Sequence, residues 1–254
     1  MTPVESMRSR PRVRGPEIRN MFARIVHRYD LLNHLLSFQI DRYWRMRAVR
    51  RAQVEESDRV LDVCAGTGDL AIALAKRAPR GSVVASDFCT EMLSRIAPKA
   101  ERKGLGGRIG VGTADCQRLP FEDASFDVVT VAFGIRNVAD PGRGLDEMTR
   151  VLAPGGRLVI LEFSYPESFV GRVLYGGYRC VIPAIGKLFL GGDEEAYRYL
   201  NESVRDFASR VKLDRLLEER GLANVRRTTH TLGIAQIVSG ERPPERSGAQ
   251  GESR

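Results

Sequence analysis

Short apolar runs alternate with amphipathic stretches through the middle of this chain, at the spacing of strand–helix–strand units. Val60-Leu61-Asp62-Val63 reads as a strand, followed by a helical run from Leu70 to Ala78. Ser82-Val83-Val84-Ala85-Ser86 reads as a second strand that ends at Asp87, and Thr90 to Lys103 as a second helix. Strands near Arg108 to Thr113 and over Phe126 to Ala132 follow, then a helix from Pro141 to Leu152 that stops at Pro154-Gly155-Gly156. A fifth strand spans Arg157 to Phe163, and a helix over Lys212 to Arg220 is closed by Gly221. Val225 to His230 and Ile234 to Ser239 complete the set, and the short link at Gly233 makes them an antiparallel hairpin. The pattern predicts an α/β fold built on a seven-stranded, mostly parallel, doubly wound sheet.

The first strand runs into Cys64-Ala65-Gly66-Thr67-Gly68-Asp69, a glycine turn that opens a helix. Gly66 and Gly68 allow the backbone to turn sharply and approach a ligand, and Asp87 at the next strand end suits a ribose diol. Gly66-x-Gly68-x-x-Ala71 formally satisfies the dinucleotide fingerprint, which would seat a pyrophosphate at the helix start. Asp62 inside the strand and Asp69 at the helix start oppose that reading, because acids there repel phosphate. Asp62, Asp69 and Asp87 around one pocket suit a cationic ligand without phosphate. Alternatively they are only a helix cap and solvated strand ends. Asp115 with Cys116, after the third strand, stands where the edge of a bound base would lie. Phe133-Gly134-Ile135-Arg136-Asn137, after the fourth, faces the same cleft.

Composition narrows the class. With 254 residues and 43% hydrophobic content the chain can bury one sizeable core. Cys64, Cys89, Cys116 and Cys180 are widely spaced, which argues against a disulfide framework or a zinc site and for small core residues in a reducing cytoplasm. No apolar run approaches the ~20 residues of a membrane span, and nothing calls for a metal. The net charge of +8 resides in the first 51 residues, which hold twelve arginines and four acids, while the remainder balances to zero. That region is drawn to an anionic membrane surface or is simply solvated; without aromatic residues among its first arginines it is a poor nucleic-acid binder. Residues 1–16 and 241–254, rich in Arg, Pro, Ser, Gly and Glu, read as disordered tails. A single domain then covers 17–240, with a helical cover over 17–52 and an inserted apolar lid over 163–200.

Asp62 to Gly68, Asp87, Asp115 and Pro154-Gly155-Gly156 occur in the order found in class I S-adenosylmethionine methyltransferases, which the chain resembles over residues 55–240. Two longer stretches narrow the resemblance. Tyr29-Asp30-Leu31-Leu32-Asn33-His34-Leu35-Leu36-Ser37, with Trp44 after it, and Arg150 to Ser164 are similar to the signatures of the ubiquinone/menaquinone biosynthesis C-methyltransferases, as is Phe133 to Val138. The resemblance covers about residues 20–240. It implies a Rossmann-like fold and S-adenosylmethionine as cofactor, held by Asp62, Gly66, Thr67, Gly68, Asp87, Asp115 and Cys116. It also implies methylation of a ring carbon on a polyprenylated quinol, either demethylmenaquinol or its benzoquinol counterpart. Asp41 stands where the family usually has His, Ala153 where it has Lys, and Ala132 where some members place a Ser.

Carbon methylation of a quinol requires one hydroxyl to lose its proton while the carbon meets the methyl group in line. Arg136, to stabilise the developing phenolate, and Asn137, to orient the hydroxyl or a water, are the main catalytic candidates, with Tyr29 and Asp30 placed above the ring. Arginine is too basic to take the proton itself, so a water relay is expected. His27, His34 and His230 read as structural. The segment from Phe163 to Gly192 interleaves many apolar residues with Arg172, Arg179 and Lys187. It reads as a lid for the prenyl chain that rests on the bilayer, or as a helix buried against the sheet. A cytosolic enzyme peripheral to the membrane, with a homo-oligomer open, is the resulting expectation. Its rivals are a methyltransferase for another small aromatic or lipid acceptor and a non-catalytic cofactor-binding partner.

Overall fold

The computed structural model describes residues 19–24, 26–27, 37, 39–166, 168–169, 171–173, 175–177 and 194–245. Seven strands form one sheet: β1 (Arg59–Val63), β2 (Ser82–Asp87), β3 (Ile109–Thr113), β4 (Phe126–Ala132), β5 (Leu152–Phe163), β6 (Ala223–His230) and β7 (Ala235–Glu241). Their order is β3-β2-β1-β4-β5-β7-β6. The central pairs are parallel, and β7 runs antiparallel to both β5 and β6. The expected mostly parallel sheet with a terminal antiparallel hairpin is therefore present. Strand order reverses between β1 and β4, and open α/β sheets bind ligands in the crevice at such a reversal.

Both faces of the sheet are covered, which is why its central strands read as nearly unbroken apolar runs. On one face Val60 and Val128 pack with Trp44, Leu70 and Leu74, from α1 (Ile40–Ala52) and α2 (Asp69–Ala75). On the other, Leu61 and Val129 pack with Leu145, Met148 and Leu217, from α5 (Pro141–Val151) and α7 (Leu213–Glu218). Alternate residues of one strand thus serve two separate cores. The helix α6 (Glu194–Arg210) precedes α7 and packs against the turn after β4.

Three local features differ from the sequence reading. The helix expected over Thr90 to Lys103 is two pieces, α3 (Thr90–Leu93) and α4 (Ile96–Glu101). Pro98 has no N–H to donate, and its ring excludes a straight helical path past the Ser94 carbonyl four residues earlier. Pro154-Gly155-Gly156 does not lie between a helix and a strand but inside the bulged start of β5, where Gly155 adopts φ +77°. Finally, Glu241, expected in the C-terminal tail, is the last residue of β7. Arg242 exchanges backbone bonds with Gly155 and Gly156, and its guanidinium donates to the Thr149, Arg150 and Leu152 carbonyls that end α5.

Candidate active site

The cleft opens at the carboxyl ends of β1 to β4. Gly66, Asp87, Asp115 and Cys116 line one side of it, Ala132 and Asn137 the other, and Phe22 from the helical stretch at 19–24 comes over it. The structure thus brings together five of the residues singled out from the sequence: Gly66, Asp87, Asp115, Cys116 and Asn137. Tyr29, Asp30 and His34 lie outside the described residues, as do Cys180 and residues 178–193 of the expected lid.

Backbone geometry at the β1 and β4 exits is unusual. Cys64 adopts φ +54° and Phe133 φ +57°, left-handed values that bulky side chains rarely take. Between these two exits the chains meet closely: a Cβ on Gly134 would stand 2.4 Å from that of Cys64. Glycine at 134 is what lets the loop after β4 fold down against the glycine turn. At Gly68, φ +83° and the Ile96 side chain 2.7 Å from any added Cβ exclude other residues in the same way.

Asp87 ties the loops together. Its Oδ2 accepts the Gly66 N–H and its Oδ1 the Cys89 N–H, both at 2.9 Å. Burial raises its pKa, while the N–H groups of Cys89, Gly66 and Phe88 hold it down. Asp115, exposed at the rim, accepts bonds from its own turn through Gln117. Cys116 is buried beside Cys64, and the Cys64 thiol is held well above its ordinary pKa by that neighbour and by burial. Such thiols are small packing groups, not nucleophiles.

Two acids behave differently from the three-carboxylate pocket expected from sequence. Asp69 is paired with Lys99 at 2.7 Å, and the same ammonium donates to the Thr67 hydroxyl at 3.1 Å. Asp69 is the first residue of α2, its charge is neutralised by Lys99 of α4, and neither it nor Thr67 lines the cleft. Asp62 is buried in β1, where the parallel register sets it opposite Thr130, and the Thr130 hydroxyl donates to its Oδ1 at 2.8 Å. Among the described residues no loop N–H donates to Asp62, and that of Gly66 goes to Asp87. The Asp62 Oδ2 is buried without a hydrogen bond of normal geometry among the described residues, although the Ala71 N–H comes near enough to hold the pKa down. An orphaned carboxylate oxygen beneath a glycine turn fits a cationic group better than a phosphate.

Burial pushes the Asp62 pKa up to about 7, against the Thr130 bond and the Arg45 charge. An unfolded aspartate loses its proton near pH ~4. The native state therefore binds more protons between those values, and Asp62 makes stability fall as pH rises through the interval. The slope is at most about 1.4 kcal/mol per pH unit. Melting curves of wild type and Asp62→Asn should diverge accordingly, with the wild type losing ground to the variant from pH ~4 to 7. Parallel curves would mean that Asp62 is ionised throughout.

Arg136 and Asn137 occupy a single 3-10 turn, Ile135–Asn137, but point to different partners. The Arg136 guanidinium pairs with Glu162 of β5 at 2.8 Å, donates to the Phe133 carbonyl, and lies 5.1 Å from the Phe163 ring centre. With its side chain only 7% exposed and that of Glu162 at 0%, this is a buried ion pair that fixes the turn to β5. Glu162 also accepts the Arg136 and Phe163 N–H groups. Arg136 thus acts in this geometry by positioning its neighbour, and the cleft is faced by Asn137. The Asn137 Oδ1 accepts a bond from the Tyr199 hydroxyl on α6 at 2.9 Å, and its amide N–H is directed weakly at Phe133 O at 3.4 Å.

Glu162, Thr130 and Tyr199 were not singled out as site residues from sequence. Thr130 could have been found as the polar residue of an apolar strand matching Asp62 in its neighbour; nothing local marked Tyr199. Of the three departures, Asp41 is buried, accepts from Ser37 Oγ at 2.6 Å and is paired with Arg45. Ala132 lines the cleft without a polar atom, and Ala153 belongs to the start of β5, at the opposite end of the sheet.

Known proteins share this fold and this sequence. The structure is similar to an S-adenosyl-L-methionine-dependent methyltransferase from Methanococcus maripaludis, with TM-score 0.61 and 17% identity over 94% of this chain and 99% of that one. It is similar also to one from Aquifex aeolicus, with TM-score 0.55 and 20% identity over 78% and 89%. At these identities the likeness concerns the fold. The sequence is 45% identical to a ubiquinone/menaquinone biosynthesis C-methyltransferase UbiE of Geobacter sulfurreducens, over 90% of each chain. It is 47% identical to a demethylmenaquinone methyltransferase of Thermus thermophilus, over 88% of this chain and all of the relative. Residues 10–242 match the ubiE/COQ5 methyltransferase family, and it is to this family that the chain belongs.

Proposed function

We infer that this protein transfers a methyl group from S-adenosylmethionine to a ring carbon of a polyprenylated quinol, with demethylmenaquinol as the acceptor and menaquinol as the product. Family membership carries the reaction class, and the names of the T. thermophilus and Deinococcus radiodurans relatives support the naphthoquinol. The structural observation behind the reading is one cleft at the strand-order reversal, with Gly66 and Asp87 on one wall and Asn137 on the other.

In this reading Asp87 takes the ribose diol, Asp115 and Cys116 flank the base, and the orphaned Asp62 Oδ2 meets the ammonium group. Gly66 and Gly68 shape the turn, with Thr67 held between them by Lys99. When bound, the cofactor supplies an electrophilic methyl group beside the acceptor. Asn137 holds the acceptor hydroxyl or a water that receives its proton, and the Tyr199 hydroxyl fixes which end of the Asn137 amide faces the cleft. Arg136 and Glu162 hold the turn in place. Tyr29, from the first signature stretch, is assigned the orienting of the ring. The quinol's prenyl chain calls for work at a membrane surface, and no described helix is long and apolar enough to cross one.

Replacing Asn137 by Ala should lower turnover about 100-fold with cofactor affinity nearly unchanged. Tyr199→Phe should cost about 5- to 10-fold, the value of one neutral hydrogen bond, also in turnover. Equal losses in affinity and turnover would remove Asn137 from its role. The acceptor itself is tested by offering demethylmenaquinol and the methoxy-benzoquinol with identical prenyl chains. Preference for the naphthoquinol supports the reading. Turnover of the benzoquinol alone assigns the ubiquinone step, turnover only of other phenols assigns another acceptor, and bound cofactor without turnover leaves a binding protein.

A further inference from the structure

Among the described residues, seven large apolar side chains stand exposed, and five of them come from three segments that touch one another. Tyr43 and Met46 lie on the outer face of α1, Leu232 on the turn between β6 and β7, and Phe169 and Val173 on the chain after β5. The Trp44 indole N–H donates to Thr231 Oγ1 at 2.8 Å, and the Tyr43 ring meets His230 edge-on at 6.0 Å. Gly171 lies so close to the Leu232 carbonyl that a Cβ there would stand 2.7 Å from it. Leu232 and Phe169, 55% and 75% exposed, are the kind of apolar side chains that a folded protein buries unless the surface has an occupant.

Cations border these residues. Arg42, Arg47 and Arg50 share the exposed side of α1, and Arg172 is exposed between Gly171 and Val173. Arg47 and Arg50 carry no ion pair among the described residues. The sole acid of α1, Asp41, is buried and already paired with Arg45. The surface also adjoins the cleft: Trp44, the neighbour of Tyr43, packs on Phe133 and Phe163 at the carboxyl ends of β4 and β5.

We propose that this surface, formed by α1, the β6–β7 turn and the chain after β5, docks the protein on an anionic lipid bilayer. The exposed apolar side chains enter the headgroup boundary while the arginines meet lipid phosphates, an arrangement that gives reversible, salt-sensitive attachment. The charge complement selects a bilayer over a protein partner, since apolar side chains fringed by unpaired cations on one face match an anionic headgroup layer. The inference rests on the quinol reading only for its purpose, because a prenylated acceptor would then reach the cleft from the membrane at its rim.

The test uses the full chain with no quinol and no cofactor, sedimented with phosphatidylcholine vesicles and with the same vesicles containing phosphatidylglycerol. Binding to the anionic vesicles, weakened by salt, is expected. It should fall at least about tenfold in Arg47→Glu/Arg50→Glu and again in Phe169→Ser/Leu232→Ser, each change lying on an exposed side chain. Both variants should retain wild-type melting temperature and wild-type turnover of a water-soluble, short-chain quinol. Failure of the wild type to bind anionic vesicles overturns the proposal, as does binding that survives all four substitutions. Loss of binding on removing residues 1–16, with both variants binding normally, would place attachment in the N-terminal segment and overturn it too. Self-association abolished by the same variants, without vesicle binding, would give the surface to a second copy of the chain. Turnover of the soluble quinol is read separately, so failure of docking is distinguishable from failure of the proposed reaction.

Discussion

Arg136→Ala should destabilise the fold by about 3–5 kcal/mol in addition to lowering turnover, because it strands a buried carboxylate. Glu162 has no exposed side-chain surface and, among the described residues, would keep two backbone N–H groups, at 3.3 Å and 2.8 Å, after losing its cation. The stacking of the guanidinium on Phe163 is lost as well. For a chain of this size the melting temperature should fall by roughly 10 °C. Arg136→Met combined with Glu162→Leu removes both charges together, so most of the stability should return while turnover stays low. An Arg136→Ala protein that melts like wild type would show that the pair does not form. The same reasoning makes Asn137, not Arg136, the residue at which a turnover defect can be read without a stability defect.

Asp87→Ala should weaken S-adenosylmethionine by at least about 100-fold in Kd. A carboxylate that accepts both hydroxyls of a ribose makes two charge-assisted bonds worth about 1.5–3 kcal/mol each, and a loss of about 3 kcal/mol corresponds to that factor. Part of the loss comes through the loops, because the Gly66 and Cys89 N–H groups lose the acceptor that ties the glycine turn to the β2 exit. Titration calorimetry of the purified variant, with circular dichroism to verify folding, separates affinity from stability. A Kd within about threefold of wild type would confine Asp87 to holding the two loops together. Asp115→Ala provides the contrast: that carboxylate is exposed and bound by its own turn, so its removal should matter less.

The sheet was legible because its signal is local. The strands β1, β2, β4 and the body of β5 are mostly apolar runs bounded by turn residues, and the Gly233 link marks the antiparallel pair. The broken helix at Pro98 was legible in principle, and only the strength of the surrounding helical pattern concealed it. The start of β5 was not, because Pro154-Gly155-Gly156 has the composition of a loop, and only pairing with β4 and Arg242 makes it a bulged strand. In the site, residues at strand ends could be named because topology alone sends them to the cleft. Their partners could not. Thr130 meets Asp62 across 68 positions, Glu162 meets Arg136 across 26, and Tyr199 meets Asn137 across 62. The acids show the cost of reading charges without partners: Asp69 reads as part of an acidic pocket for a cationic ligand, but Lys99 stands beside it and neutralises it.

Carbon methylation within one cleft can be followed by tracing the methyl group itself. Purified protein is incubated with S-adenosylmethionine carrying an isotopically labelled methyl group and with reduced demethylmenaquinol, and the product is examined by mass spectrometry and NMR. Label is expected on a ring carbon of the quinol, in amounts equal to the S-adenosylhomocysteine released. Label on a quinol oxygen, or cofactor bound with no label transferred to the ring, would contradict carbon methylation.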